Sequence, residues 1–131
     1  MRSTSRENEV IFSSDSIIYA QENDWGNYPM GVFKEYQSKC PNLEGAEILF
    51  HGDIPGGGLS SSASLEVCTA LIIESLNSFS LDKGHLENRK QMAWLCQHAE
   101  NTFIGVNCGI MDQAAIALGK KDKAILMACS N

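Results

Sequence analysis

Pro55-Gly56-Gly57-Gly58-Leu59-Ser60-Ser61-Ser62 is the stretch of this sequence best suited to chemistry. Three consecutive glycines remove every Cβ that would hold a ligand away from the backbone, and they allow positive φ. Three serines follow, then an apolar run from Ala63 to Phe79 without glycine or proline, so the loop feeds the start of a helix. The first N–H groups of a helix lack internal partners and its dipole is positive there, so an anion fits. Serine hydroxyls at the same end can bond a phosphate or ligate magnesium. The stretch therefore reads as a phosphate cradle, since an ordinary serine cap needs one such residue and not six. Two better-known loops do not match. No lysine follows Gly58, as a Walker A loop requires, and Ser62 stands where a nucleophile elbow has its last glycine.

Two acids are the other candidates. Asp112 follows Gly109-Ile110-Met111 at the head of a short helical pattern. The positive end of that helix favours an ionised carboxylate, which can take the proton of an attacking hydroxyl. Read by itself, it is more simply a helix-start acid without a ligand. Glu100 lies beside the apolar stripe Met92, Cys96, Ala99 and Phe103, and by itself reads as a solvated helix acid.

Pro55-x-Gly-Gly-Gly-Leu-Ser-Ser-Ser-Ala-Ser-Leu-Glu resembles the ATP-phosphate loop of the GHMP kinases, in the form used by galactokinases. Ala99-Glu100-Asn101-x-Phe103-x-Gly105-x-Asn107-Cys108-Gly109-Ile110-Met111-Asp112-Gln113 resembles the galactokinase segment that carries the catalytic aspartate. Gln21-Glu22-Asn23-Asp24-Trp25-x-Asn27-Tyr28 is a weaker match, to the segment reading W-x-N-Y. All three occur in the family's order. The resemblance implies transfer of the γ-phosphate of ATP, with Mg²⁺, to the anomeric hydroxyl of galactose. It implies Asp112 as the base, and Gly109 as a backbone contact to the sugar. Pro55, Gly56, Gly57, Gly58, Leu59, Ser60, Ser61 and Ser62 would bind the phosphates. The metal would be held by Glu100 and one serine hydroxyl among Ser60, Ser61 and Ser62, with Ser60 or Ser61 favoured. The implied fold is α+β, a GHMP kinase N-terminal domain like the second domain of ribosomal protein S5, here incomplete.

The elements that must position these residues follow the hydrophobic pattern. Residues 1–8 read as a flexible tail of a partial domain spanning 1–131. Val10-Ile11-Phe12 and Ile17-Ile18-Tyr19 are strand candidates, and Pro29 opens a helix that runs to Ser38. Trp25 and Tyr28 read as packing residues at its start. Ala46, Ile48 and Phe50 alternate with Glu47, Leu49 and His51, predicting a strand over 44–52 that delivers the chain to the glycine loop. The helix that follows carries Leu65, Cys68, Thr69, Ile72 and Leu76 on one stripe and leaves Glu66, Glu74, Ser75 and Asn77 as its polar face. Asn77 to Gly84 is a connection. Further helices are expected over 86–103 and 110–118, and a last strand over 124–128. Without the resemblance, this order specifies only α/β or α+β.

Composition narrows the classes. The chain has 131 residues, 44% hydrophobic and 20% charged, which suits one globular domain. Its net charge of −6 and the lack of a basic face argue against nucleic-acid binding. No apolar run reaches the ~18–20 residues of a membrane span, and the first residues lack the apolar stretch of a signal peptide. Five cysteines, at 40, 68, 96, 108 and 129, form no C-x-x-C pair and read as reduced thiols of a cytoplasmic protein. Cys96-x-His98 alone is a poor metal site.

The sequence also departs from the family. Galactokinases carry an early sugar motif, G-R-x-N-L-I-G-E-H-x-D-Y, and a late glycine-rich motif in a second domain. Neither is found here. The expectation is a central segment, inactive alone, that self-associates through surfaces its missing partners would cover. Two alternatives remain: an N-acetylgalactosamine kinase, and a non-catalytic binding protein responsive to sugar and ATP.

Overall fold

The computed structural model describes residues 1–40, 42–54, 58–77 and 85–128. Four helices form its body: α1 (Asn27–Gln37), α2 (Ser61–Leu76), α3 (His85–Ala99) and α4 (Met111–Leu118). A 3₁₀ segment, Gln21–Gly26, leads into α1, and a widened π turn, Glu100–Ile104, continues α3. Two short strands, β1 (Arg2–Ser3) and β2 (Leu49–Phe50), pair in parallel with Arg2 opposite Leu49 and Ser3 opposite Phe50. Helices beside a small sheet fit an incomplete α+β domain.

α2 and α3 each pack against the other three helices. α2 contributes the stripe that leads from the serine run into the core. Its core stripe is Ala63, Val67, Ala70 and Ile73, closed by Met30 and Val32 of α1 and by Met92 and Cys96 of α3. That stripe is rotated from the one expected. Cys68 is exposed and so is Leu76, whereas Glu66 is fully buried. Small side chains at Ala63 and Ala70 let the neighbouring helices approach along the face that carries Glu66, and this outweighs the larger residues on the other side.

The start of α1 is held by side chains. Buried Asn27 donates to the carbonyls of Ala20 (2.7 Å) and Asp24 (3.2 Å) and accepts from the Ala20 N–H. Trp25 packs edge-on against Phe50, and its Nε1 donates to Asn8 Oδ1 at 2.9 Å. Trp25 is thus a packing residue, as the sequence suggests. Gly26 lies against Val10, where a Cβ would come within 2.5 Å of Cγ2.

The strand expectations are met least. Residues 10–12, 17–19 and 124–128 form no ladder, and the expected strand over 44–52 contracts to Leu49–Phe50. A strand needs a partner for its backbone groups, and β1 and β2 offer only two residues each. The expected tail at 1–8 differs in the other direction, because Arg2 and Ser3 are β1 itself. Arg2 N donates to Ile48 O and Thr4 N to Phe50 O, both at 2.9 Å. A groove of about 860 Å³ runs between the N-terminal segment and residues 44–49, lined also by Val10, Phe12 and Phe33. Among the described residues no helix is long and apolar enough to cross a membrane.

Candidate active site

α2 begins without a cap. Ser60 precedes it in the left-handed conformation, at φ 54 and ψ 37, and no side chain bonds its first turn. An ordinary capping serine sits extended and turns its hydroxyl back on the second or third amide. The first bond of the helix runs from Ser64 N to Ser60 O at 2.9 Å. The amides before Ser64 therefore have no partner within the helix. Gly58 has φ 74, and a Cβ there would meet nothing within 4 Å, so the loop is open at that point. Pro55, Gly56 and Gly57 lie outside the described residues, as does Cys129. Leu59 is exposed, Ser61 is exposed, and Ser60 and Ser62 are half-buried.

One turn after Ser62, on the same face of α2, stands Glu66. It is not on a polar face, as its position in the sequence suggests, but has no exposed surface. Gln113 meets it from α4. Gln113 Nε2 donates to Glu66 Oε2 at 3.1 Å and to Glu100 Oε2 at 2.6 Å. Glu100, which alone reads as a solvated acid, is buried at the first position of the π turn. The Gly105 and Val106 amides both donate to the Glu100 carbonyl, at 3.1 and 3.2 Å, and this widened turn directs the chain back past the Glu100 side chain.

The loop that returns is clamped at Cys108. Its N–H donates to Asn101 Oδ1 at 2.9 Å, and its carbonyl accepts from Gln97 and Asn101. Its Sγ lies 3.4 Å from Glu100 Oε2. The clamp sets Gly109, where a Cβ would meet nothing within 4 Å, just ahead of α4. Asp112 then occupies the first turn of α4, half-buried, with no hydrogen-bond partner among the described residues.

Burial pushes the Glu66 carboxyl up to about 8; the Gln113 bond pulls against this and the Glu100 charge adds to it. The Cys108 thiol is pushed up to about 11, first by burial and then by its bond to Glu100. The Tyr28 hydroxyl is raised by burial, with the charges of Glu100 and Glu66 contributing. Glu66 and Gln113 are the site residues that a reading of the sequence overlooks. The one signal for them is position: Gln113 adjoins Asp112, and Glu66 falls one turn past Ser62.

A magnesium ion suits the oxygens present. Glu100 Oε2 accepts from Gln113 and lies within reach of the Cys108 thiol, which is also 3.2 Å from Asn101 Oδ1, while Glu100 Oε1 accepts no hydrogen bond among the described residues. Among the described residues no three His, Cys, Asp or Glu side chains converge to hold a metal alone.

Comparison with known proteins matches residues 27–120 to the N-terminal domain of the GHMP kinases. A galactokinase of Fusobacterium nucleatum is 50% identical over 123 residues, 92% of this chain and 30% of the relative. One of Clostridium acetobutylicum is 49% identical over 123 residues, 92% of this chain and 30% of its own length. One of Bacillus subtilis is 49% identical over 119 residues, 89% of this chain and 29% of its own. The chain thus spans about 30% of the length of these curated relatives.

Proposed function

Because the chain belongs to the GHMP kinase family through its N-terminal domain, we propose that it is the catalytic segment of a galactokinase, which transfers the γ-phosphate of ATP to the anomeric hydroxyl of galactose. The observation that carries this reading is the uncapped start of α2, where a serine-rich run leaves the first amides free. Those amides and Gly58, with Pro55, Gly56 and Gly57 before them, receive the phosphates. Asp112 accepts the proton of the sugar hydroxyl as that oxygen bonds the γ-phosphorus. The bond from the γ-phosphorus to the bridging oxygen breaks, and ADP leaves with its electron pair. Gly109 gives the sugar a close backbone contact.

Magnesium would supply positive charge that offsets the charge of the phosphates. Glu100 Oε1 and a hydroxyl of the Ser60–Ser62 run would hold it. The sequence favours Ser60 or Ser61, but Ser62 is the one of the three that shares a helix face with Glu66. ATP and galactose are the small-molecule partners, and the cytoplasm is the compartment proposed.

The test is calorimetry of ATP binding with magnesium, paired with an assay for galactose 1-phosphate. Asp112→Ala is expected to keep ATP affinity within about twofold and to remove any turnover that the unaltered chain has, a loss of about 10²–10⁴-fold. A folded chain that binds no ATP would overturn the reading.

A further inference from the structure

One side-chain amide ties together three elements at this site. Gln113 Nε2 carries two hydrogens; one goes to Glu100 Oε2 at 2.6 Å and the other to Glu66 Oε2 at 3.1 Å. We infer that Gln113 and Glu66 are positioning residues that hold the Glu100 carboxylate with its Oε1 presented to a divalent cation. The inference rests on the reading above only in taking Glu100 as the cation's ligand.

The geometry gives each residue a separate task. Gln113 holds Oε2, which the Cys108 thiol also approaches while lying closer to Asn101 Oδ1 at 3.2 Å, and Oε1 is the Glu100 oxygen that accepts no hydrogen bond among the described residues. Among the described residues the Glu66 carboxyl bonds only Gln113, so its part is to fix that amide from α2. Leucine could fill the space of Glu66 at no desolvation cost, whereas a buried carboxyl is costly unless fully bonded. It is not fully bonded: Glu66 Oε1 and Gln113 Oε1 are both buried with no partner among the described residues. Such orphaned atoms ask for an explanation other than stability. Gln113 also follows Asp112, so the same side chain that aims Glu100 anchors the turn that carries the base. Residues that orient a metal's ligand typically matter about 10–100-fold in metal affinity.

The experiment measures Mn²⁺ affinity by electron paramagnetic resonance, with and without ADP, and ADP affinity without metal, using Glu100→Gln as reference. Gln113→Leu and Glu66→Leu are expected to weaken Mn²⁺ about tenfold and to leave metal-free ADP affinity within about twofold. Glu66→Gln keeps an oxygen acceptor for Gln113 and is expected to restore Mn²⁺ affinity. Gln113→Asn, which shortens the reach but keeps the polarity, covers the case in which the leucine variants do not fold. It is expected to behave as they do. Unchanged Mn²⁺ affinity in a folded Gln113 variant would overturn the inference, and so would equal losses in Glu66→Gln and Glu66→Leu. Mn²⁺ binding that depends on Gln113 in a chain that binds no ADP would sink the kinase reading and keep the inference. ADP binding with no Mn²⁺ site at Glu100 would do the reverse, and a chain that binds neither would overturn both.

Discussion

Gln113 places its side-chain nitrogen 2.6 Å from Glu100 Oε2, so the residue after Asp112 is bonded directly to the acid at the end of α3. The two acids that the family resemblance singles out are therefore linked through a neutral side chain that the resemblance leaves without a role.

Ser62 is separable from its neighbours. It shares the face of Glu66, while Ser61 is exposed. Ser62→Ala is expected to weaken magnesium-dependent ATP binding about tenfold, or ~1.4 kcal/mol. Ser61→Ala should change it less than about twofold. Titration calorimetry of both variants with and without magnesium checks this, and the opposite ranking would return the metal hydroxyl to Ser61.

Stability should fall as pH rises. The Glu66 carboxyl is raised from its ordinary 4.5 to about 8 by burial, against the bond from Gln113 and with help from Glu100. The folded chain binds that proton more tightly than the unfolded chain. The resulting stability is complete below pH 4.5 and is lost as pH rises through about 8. Each unit of separation is worth about 1.4 kcal/mol. Melting temperatures from pH 4.5 to 9 should decline in the unaltered chain and decline less in Glu66→Gln. Parallel profiles would show that Glu66 does not carry the effect.

Gly26 has no room for a side chain. A Cβ would lie 2.5 Å from Val10 Cγ2 and 2.9 Å from Cγ1. Gly26→Ala should cost about 1–3 kcal/mol. Combining it with Val10→Ala should cost less than the sum of the two, read by chemical denaturation as a double-mutant cycle. Simple additivity would place the cost in the backbone and not in the contact.

Self-association is expected from apolar side chains in water. Ile11 is 82% exposed, Ile54 72% and Leu126 99%. Light scattering should show mass rising with concentration, and Ile11→Lys should reduce the rise. A monodisperse monomer at high concentration would contradict this.

The helices were legible in the sequence because their evidence is local. Pro29 marks the start of α1, the uninterrupted run after Gly58 makes α2, and Met92, Cys96 and Ala99 set the buried stripe of α3. The strands were not, because pairing depends on a distant partner: Ala46, Ile48 and Phe50 alternate clearly, yet only Leu49 and Phe50 find one. The glycine-serine loop and the two acids proposed for the site stood out by motif. Glu66 and Gln113 did not, because a glutamate in a helix reads as solvated unless one knows which face its neighbours occupy, and the small Ala63 and Ala70 decide that only once the helices pack.

Glu100 serves the chain twice. Its backbone carbonyl collects the Gly105 and Val106 amides to end the helix, and its carboxylate collects Gln113 and Cys108. The two roles separate genetically. A missense change at Glu100 alters the carboxylate and spares the carbonyl, leaving the π turn able to close. Loss of one codon at the exposed Thr102 would do the opposite, keeping the acid but tightening the turn and carrying Cys108 and everything after it out of phase. A gene can therefore change the acid alone in one step, whereas a change in length between that acid and Asp112 would alter the π turn and the Cys108 contacts together.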